Sequence, residues 1–296
     1  MIDFIKKRRF WYSFSLVIIC IGVVSMVTNY RLMNHIFNLG IDFTSGTSIT
    51  LRFDNFQSDT EDTLRNVLSS VDLKKHTIQT SGDNDIVIKT EQMNVEKRNI
   101  LFAEITKALG SFDVLEVDFI GPSIGDELRK TSFIIVFAVS IAILLYCSWR
   151  FELVFGLASI IALLHDALIL LCMSALFKIE VNTAYVAALL TVLGYSINDT
   201  IVIFDRIREK IRGDNSDELS KLSLNSAVNE MLPRSIHTSI TTGLVVFSIY
   251  LFGGLSLKVF SSVLIIGLIT GTYSSLFIAS PMIVTISKLK GVKIGQ

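Results

Sequence analysis

The residues able to do chemistry are few, and they sit where polar groups are expensive. His165 and Asp166 fall near the middle of one apolar stretch, and Asn198 and Asp199 lie toward the end of the next. An ionisable group inside a long apolar segment is held against a solvation penalty, which makes each a candidate for proton transfer or another specific task. Asp199 precedes the polar Asp205 by six residues, placing it roughly 9 Å inside the end of its helix at about 1.5 Å per residue. Arg234 follows Pro233 at the head of a further apolar stretch, and Ser235, His237, Thr238, Ser239, Thr241 and Thr242 come directly after it. So many polar groups suit contacts between helices or a wet path better than contact with lipid. A carboxylate and a guanidinium held together there exchange partners when the carboxylate takes a proton, because protonation removes the attraction. Asp199 with Arg234 is therefore a candidate proton switch, and Asp166 a third candidate. The plainer alternatives are a helix-to-helix hydrogen bond for Asp199, a His165 that pairs with a backbone group beside Asp166, and an interfacial anchor for Arg234.

The elements that must position these residues are membrane spans. The 296 residues are 51% hydrophobic and 18% charged, and a bilayer core needs about 20 apolar residues as helix. Such runs occur at Phe10–Asn29, Thr131–Trp149, Leu153–Phe177, Asn182–Phe204, Ile236–Leu257 and Val259–Ser287, which predicts six spans. Lys6, Lys7, Arg8 and Arg9 precede the first run and no small-residue cleavage site follows it, so it is expected to remain as a signal anchor. Basic residues cluster before the first span, at Arg150, between Arg206 and Arg234, and after the sixth span, whereas the two short opposite turns hold only Lys178 and Lys258. That asymmetry puts both termini and the loop 205–233 in the cytoplasm and residues 31–130 outside.

The outer segment alternates strand and helix patterns. Strands are expected at Thr47–Phe53, His76–Thr80, Asp85–Thr90 and Phe112–Ile120, with Ser81-Gly82-Asp83-Asn84 as a turn. Helices are expected over Ser58–Asp72 and after the capping residue Asn94. The order β-α-β-β-α-β is that of a ferredoxin-like α+β domain. The chain thus divides into 1–30 with the first span, 31–130 as the extracytoplasmic domain, and 131–296 as a five-helix bundle. Within the loop 205–233, Leu224, Ala227, Val228 and Met231 form a stripe that predicts an amphipathic helix on the inner leaflet, the plainer alternative being a solvated linker, since Asn, Ser and Glu interrupt the stripe.

Other functions are excluded by what surrounds these residues. A net charge of zero with no long single-sign run argues against nucleic acid. The aspartates lie in Leu164-His165-Asp166-Ala167 and Ile197-Asn198-Asp199-Thr200, without the Gly-x-Gly-Asp setting of an intramembrane aspartyl protease, and no P-loop, His-Glu-x-x-His or Gly-x-Ser-x-Gly occurs. Work would have to come from the membrane potential or a proton gradient, worth about 2.3 kcal/mol per charge per 100 mV. Cys20, Cys147 and Cys172 stand far apart in apolar stretches and are expected to be small apolar fillers, with no metal site or cofactor implied. Gly267 and Gly271 form a GxxxG continued by Ser274, Ser275, Ala279 and Ser280, which predicts close helix packing and no site.

Four segments resemble the SecF family of bacterial protein-export membrane proteins. They are Gly40-Ile41-Asp42-Phe43-Thr44-Ser45-Gly46-Thr47, His165-Asp166, the run from Gly194 through Asn198, Asp199, Asp205 and Arg206 to Glu209, and Arg234 with Thr238-Ser239-Ile240-Thr241-Thr242. Ser45 stands where the family usually has a second glycine, which bears on the local turn. The resemblance implies a six-span half of a resistance-nodulation-division transporter that packs with SecD, which supplies the other half. It implies action after the ATP-driven step, helping an exported unfolded polypeptide leave a SecYEG-type channel in the cytoplasmic (inner) membrane by use of the proton motive force. Asp199 and Arg234 match the family's proton-pathway positions, and Asp166 matches a further family residue. A small-molecule or lipid exporter of the same superfamily is the alternative, and it would normally carry about twice as many spans.

Overall fold

In the computed structural model, the described residues are 2–54, 59–73, 75–81, 84–211 and 217–290. The helices in chain order are α1 (Arg8–Met33), α2 (Ile41–Thr44), α3 (Thr60–Ser70), α4 (Val95–Leu109), α5 (Pro122–Arg150), α6 (Leu153–Leu176), α7 (Thr183–Ile211), α8 (Asp217–Phe252), α9 (Leu255–Tyr273) and α10 (Ser280–Lys290), with a π-helical segment Ser274–Ala279 between the last two. Two compact units result, one formed by 1–38 with 134–296 and the other by 39–133.

Among the described residues six helices are long and apolar enough to cross a membrane: α1, α5, α6, α7, α8 and the continuous run of α9, the π segment and α10. The chain is a multi-pass membrane protein. α6 is the central one, with Ala158, Ala162, Leu170, Cys172 and Ala175 all buried. Its small side chains allow close approach, since a Cβ at Gly22 of α1 would fall 2.1 Å from that of Cys172. A second close contact joins α9 to α7, where a Cβ on Gly267 would lie 2.1 Å from Val192 Cγ2. This is the packing expected of small residues in membrane helices.

Three differences from the sequence expectations have physical causes. The fifth span ends at Phe252 instead of Leu257, because Gly253-Gly254 breaks the helix and Gly254 becomes the N-cap of α9. Lys258 therefore lies inside α9. The second span starts nine residues earlier than Thr131, since Pro122 is well suited to a first helical turn, where no backbone N–H is required. Finally, Pro233 does not separate an amphipathic helix from the fifth span but lies inside α8. The stripe residues Leu224, Ala227 and Val228 are fully buried against Phe4, Ile207 and Ile211, so protein covers them and the expected inner-leaflet helix is not formed. Residues 212–216 of the expected loop, and Gly82-Asp83 of the expected turn, lie outside the described residues.

Among the described residues the smaller unit forms a four-stranded sheet of β1 (Gly46–Phe53), β2 (His76–Ser81), β3 (Asp85–Thr90) and β4 (Phe112–Ile120). They pair antiparallel in the spatial order β2-β3-β1-β4. With α3 following β1 and α4 following β3, this is the split β-α-β arrangement of a ferredoxin-like domain. Alternate residues Ile49, Leu51 and Phe53 of β1 are buried with Leu64 and Leu68 of α3 and Leu101 and Ile105 of α4. Asn94 caps α4 by accepting from the Lys97 N–H at 2.8 Å.

Candidate functional site

The two membrane aspartates occupy different kinds of place. Asp166 of α6 is fully buried, and both carboxylate oxygens are engaged. Oδ2 accepts from Ser196 Oγ of α7 at 2.5 Å and from Ser274 Oγ of the π segment at 2.7 Å. Oδ1 lies 3.1 Å from His165 Nδ1. From the other ring nitrogen a chain of polar groups runs to α1, and its donors can be assigned in order. Tyr273 donates to the Trp11 carbonyl at 2.9 Å, so Ser15 donates to Tyr273 at 3.3 Å. The Ser15 oxygen is then left to accept from His165 Nε2, 3.0 Å away. One further proton lies between Nδ1 and Oδ1, as imidazolium with carboxylate or imidazole with carboxylic acid. Either way the pair is neutral overall.

Asp199 of α7 is only half served. Oδ1 accepts from Ser235 Oγ of α8 at 2.8 Å, and the Ser275 hydroxyl also faces the carboxylate. Oδ2 is buried with no hydrogen-bond partner among the described residues, although a buried carboxylate oxygen normally has at least one. Ser275 shares a hydrogen bond of 2.8 Å with Thr200 and donates to the Ser196 carbonyl at 3.4 Å. Hydroxyls therefore bridge the neighbourhoods of the two carboxyl groups. The extra residue per turn in the π segment helps here, because it turns Ser274 toward Asp166 and Ser275 toward Thr200 and Asp199.

Arg234 does not pair with Asp199, and the expected contact is absent for a geometric reason. Successive helical residues point about 100° apart; with Ser235 turned onto Asp199, Arg234 is turned away. Its side chain is exposed and lines a charged cavity of about 490 Å³ with Asp205, Arg206, Glu209 and Glu230. The other charges there are paired: Arg206 with Glu209 at 2.6 Å and Glu230 at 2.7 Å, and Asp205 with Arg150 at 3.1 Å. Lys210 also contacts Glu230. Arg234, His237, Thr238 and Thr241 form an exposed stripe along α8, and Thr191, Gly194 and Asn198 another along α7.

The remaining motif residues belong to the smaller unit. Gly40 caps the short α2, which holds Asp42 and Phe43. Gly46 has φ +136°, and a Cβ there would meet the Thr90 carbonyl oxygen at 2.3 Å, so only glycine fits. Thr47 is buried, its hydroxyl accepting from the Met93 N–H at 3.4 Å. Partial burial, with the charges of Glu116 and Asp42 adding to it, pushes the nearby Asp118 carboxyl above the usual range. No cluster of three or more metal-ligating side chains occurs among the described residues. The participants missed in the sequence are Ser15, Ser196 and Tyr273, together with Ser274 and Ser275, which were expected only to pack. Serines and tyrosines are common in spans, and the one available signal was the polar run at 270–275.

Fold and site together define a multi-pass membrane protein of transporter type, with its polar chemistry confined to one cluster of helices. Residues 101–289 match the family described as protein export membrane protein SecD/SecF, C-terminal, and residues 37–55 match the SecD/SecF GG motif. The chain is 34% identical over 288 residues to protein translocase subunit SecF of Sebaldella termitidis, covering 96% of this chain and 92% of that one. It is 37% identical over 293 residues to the SecF subunit of Desulfurispirillum indicum, covering 96% and 91%. Among solved structures it is similar to SecDF, a translocon-associated membrane protein, from Thermus thermophilus, with a TM-score of 0.85 and 33% identity over 97% of this chain. It spans 39% of that longer chain. The chain belongs to the SecF family of protein translocase subunits.

Proposed function

We propose that this chain is an auxiliary subunit of a Sec translocase, pairing with a SecD subunit to draw on the proton motive force for late steps of polypeptide export. Asp199 is the carboxyl that loads and releases the proton, and Arg234 is the counter-charge that engages it in one state of the cycle. Asp166, sharing a proton with His165, is the fixed neutral neighbour. The carrying observation is the buried, unpartnered Oδ2 of Asp199, an acceptor placed where a proton can be taken up without displacing a fixed donor. The exposed polar stripes on α7 and α8 favour a protein partner over lipid on that face. The similarity to SecDF, over two-fifths of that chain, supports the pairing with SecD.

In this reading both termini and residues 205–233 are cytoplasmic, following the basic residues, and the domain within 31–130 lies outside the inner membrane. There it acts near the mouth of a SecYEG-type channel on unfolded polypeptide. No cofactor and no catalysis are called for. The test is reporter export in membrane vesicles containing the SecD partner and the channel, with and without an uncoupler. Asp199→Asn is expected to remove the uncoupler-sensitive part of export, about a hundredfold if it abolishes a required proton transfer, while copurification with SecD is retained. Normal, uncoupler-sensitive export by this variant would refute the assignment.

A further inference from the structure

The segment before the first span is held to α8 by a device that neither the proton site nor the family motifs use. Asn229 grips the backbone of Ile2 at both groups: its Oδ1 accepts from the Ile2 N–H at 2.8 Å and its Nδ2 donates to the Ile2 carbonyl at 2.8 Å. One turn earlier on the same face, Asn225 Oδ1 accepts from the Phe4 N–H at 2.8 Å and its Nδ2 donates to the Ile2 carbonyl at 3.1 Å. Two side-chain amides thus hold the backbone of Ile2 and Phe4 where the chain enters the turn before α1. Phe4 and Ile5 are buried beneath them, and the Phe4 ring packs 5.1 Å from that of Phe277 in the π segment.

The place of this clamp on α8 matters. Pro233 has no N–H, so the helical hydrogen bond to the carbonyl of residue 229, the clamping Asn229, cannot form. The helix is therefore weakest between the clamp and Ser235, which donates to Asp199 two residues after the proline. Packing of Leu224, Ala227 and Val228 and the ion pairs of Glu230 also hold 217–232, and the amide clamp adds to that hold; with it released, this half of α8 gains freedom to pivot at the proline and carry Ser235 and Arg234 with it. We propose that Asn225 and Asn229, by clamping the backbone of Ile2 and Phe4, are positioning residues that fix the Pro233 break and thereby hold Ser235 and Arg234 in register with Asp199. The proposal rests on the coupling role given to Asp199 above.

The test uses the complex with its SecD partner in vesicles and two readouts. Spin labels at the exposed Leu222 of α8 and Leu153 of α6 report the distance across the clamped half of the helix, and export is measured as the ratio of uncoupler-sensitive to uncoupler-resistant transport. Asn225→Ala with Asn229→Ala should broaden the distance distribution and lower the ratio about tenfold, as expected when reacting groups lose their orientation. Ile2→Pro leaves α8 intact and removes one donated N–H, so it should lower the ratio about twofold; it carries the test if the double variant fails to assemble. A disulfide between Ile2→Cys and Asn229→Cys in the Asn225→Ala background should restore both readouts. An unchanged distance distribution overturns the proposal, and so does a broadened one with a full export ratio. Asp199→Asn run in parallel separates the two readings: if it exports normally the coupling assignment fails, while the distance measurement still judges the clamp.

Discussion

Asp166 and Asp199 lie on neighbouring helices of one bundle and are treated in opposite ways. The first has hydrogen-bond partners on both oxygens, from three directions, and shares a proton with an imidazole whose far side is tied into α1. The second has one oxygen without a partner among the described residues, and the other takes its hydrogen bond from a helix that contains a proline. A carboxyl with partners on both oxygens gains little by changing protonation and loses a network if it does. A half-served one can change charge at lower cost. On the proposed reading, the completeness of the hydrogen-bond shell is what distinguishes a structural acid from a working one in this bundle.

The sharpest way to break this comparison is to remove the Asp166 carboxyl. Asp166→Ala strands Ser196, Ser274 and His165 in a buried pocket, and at about 1–3 kcal/mol for each unsatisfied group the subunit should lose about 3 kcal/mol or more of stability. Asp166→Asn is the informative partner change. Its amide oxygen can accept from the two serines and its NH₂ can donate to His165 Nδ1, which reproduces the protonated acid. Thermal unfolding in detergent should show a large drop for Ala and a small one for Asn, with gradient-stimulated export retained in Asn. Loss of that export in a stable Asp166→Asn protein would place Asp166 in the proton cycle alongside Asp199.

A smaller effect separates the hydroxyls. Ser235 is the one closely bonded donor to Asp199, whereas Ser274 is one of two on the same Asp166 oxygen. Ser235→Ala should therefore cost most of a hydrogen bond to a charged group, about 1.5–3 kcal/mol, and should appear as a roughly tenfold loss of gradient-stimulated export. Ser274→Ala should change export less than twofold, because Ser196 still serves the oxygen. Equal effects from both would mean that the two shells are not functionally distinct.

Much of this was legible in the sequence, and what was not has definite causes. Charged residues in apolar runs announce themselves, so Asp166, Asp199 and Arg234 could be singled out, and period-two and period-3.6 patterns located the strands and helices of the smaller unit. The hydroxyls that complete the Asp166 shell come from residues 15, 196 and 274, and nothing local marks which serine faces which neighbour. Adjacency on a helix also left the contact unspecified: of the consecutive Arg234 and Ser235, it is Ser235 that bonds to Asp199. The stripe Leu224, Ala227 and Val228 identified a buried face correctly but not its cover, because periodicity reports that a surface is apolar without reporting whether lipid or protein meets it. Pro233 indicated a boundary by the usual rule, which fails where packing on both sides holds the helix through the proline.

The smallest effect serves as the control that keeps stability and coupling apart. Ser45 has φ 61° and ψ 161°, a region that is nearly confined to glycine and that costs a residue with a Cβ about 1–3 kcal/mol. It sits between the short helix holding Asp42 and the first sheet strand, where Gly46 is required by its own φ and by the Thr90 carbonyl. Ser45→Gly relieves the strain at the expense of a more flexible unfolded chain, a loss of about 0.4–1 kcal/mol. The net gain should be about 1 kcal/mol, measurable as a rise in the unfolding midpoint of the smaller unit. Neither aspartate is near this turn in sequence, and no group bonded to either comes from it. Gradient-stimulated export should therefore stay unchanged while stability rises. A change in the uncoupler-sensitive fraction with Ser45→Gly would show that the turn takes part in coupling, and that the contrast between the two aspartates is not sufficient to describe how the subunit works.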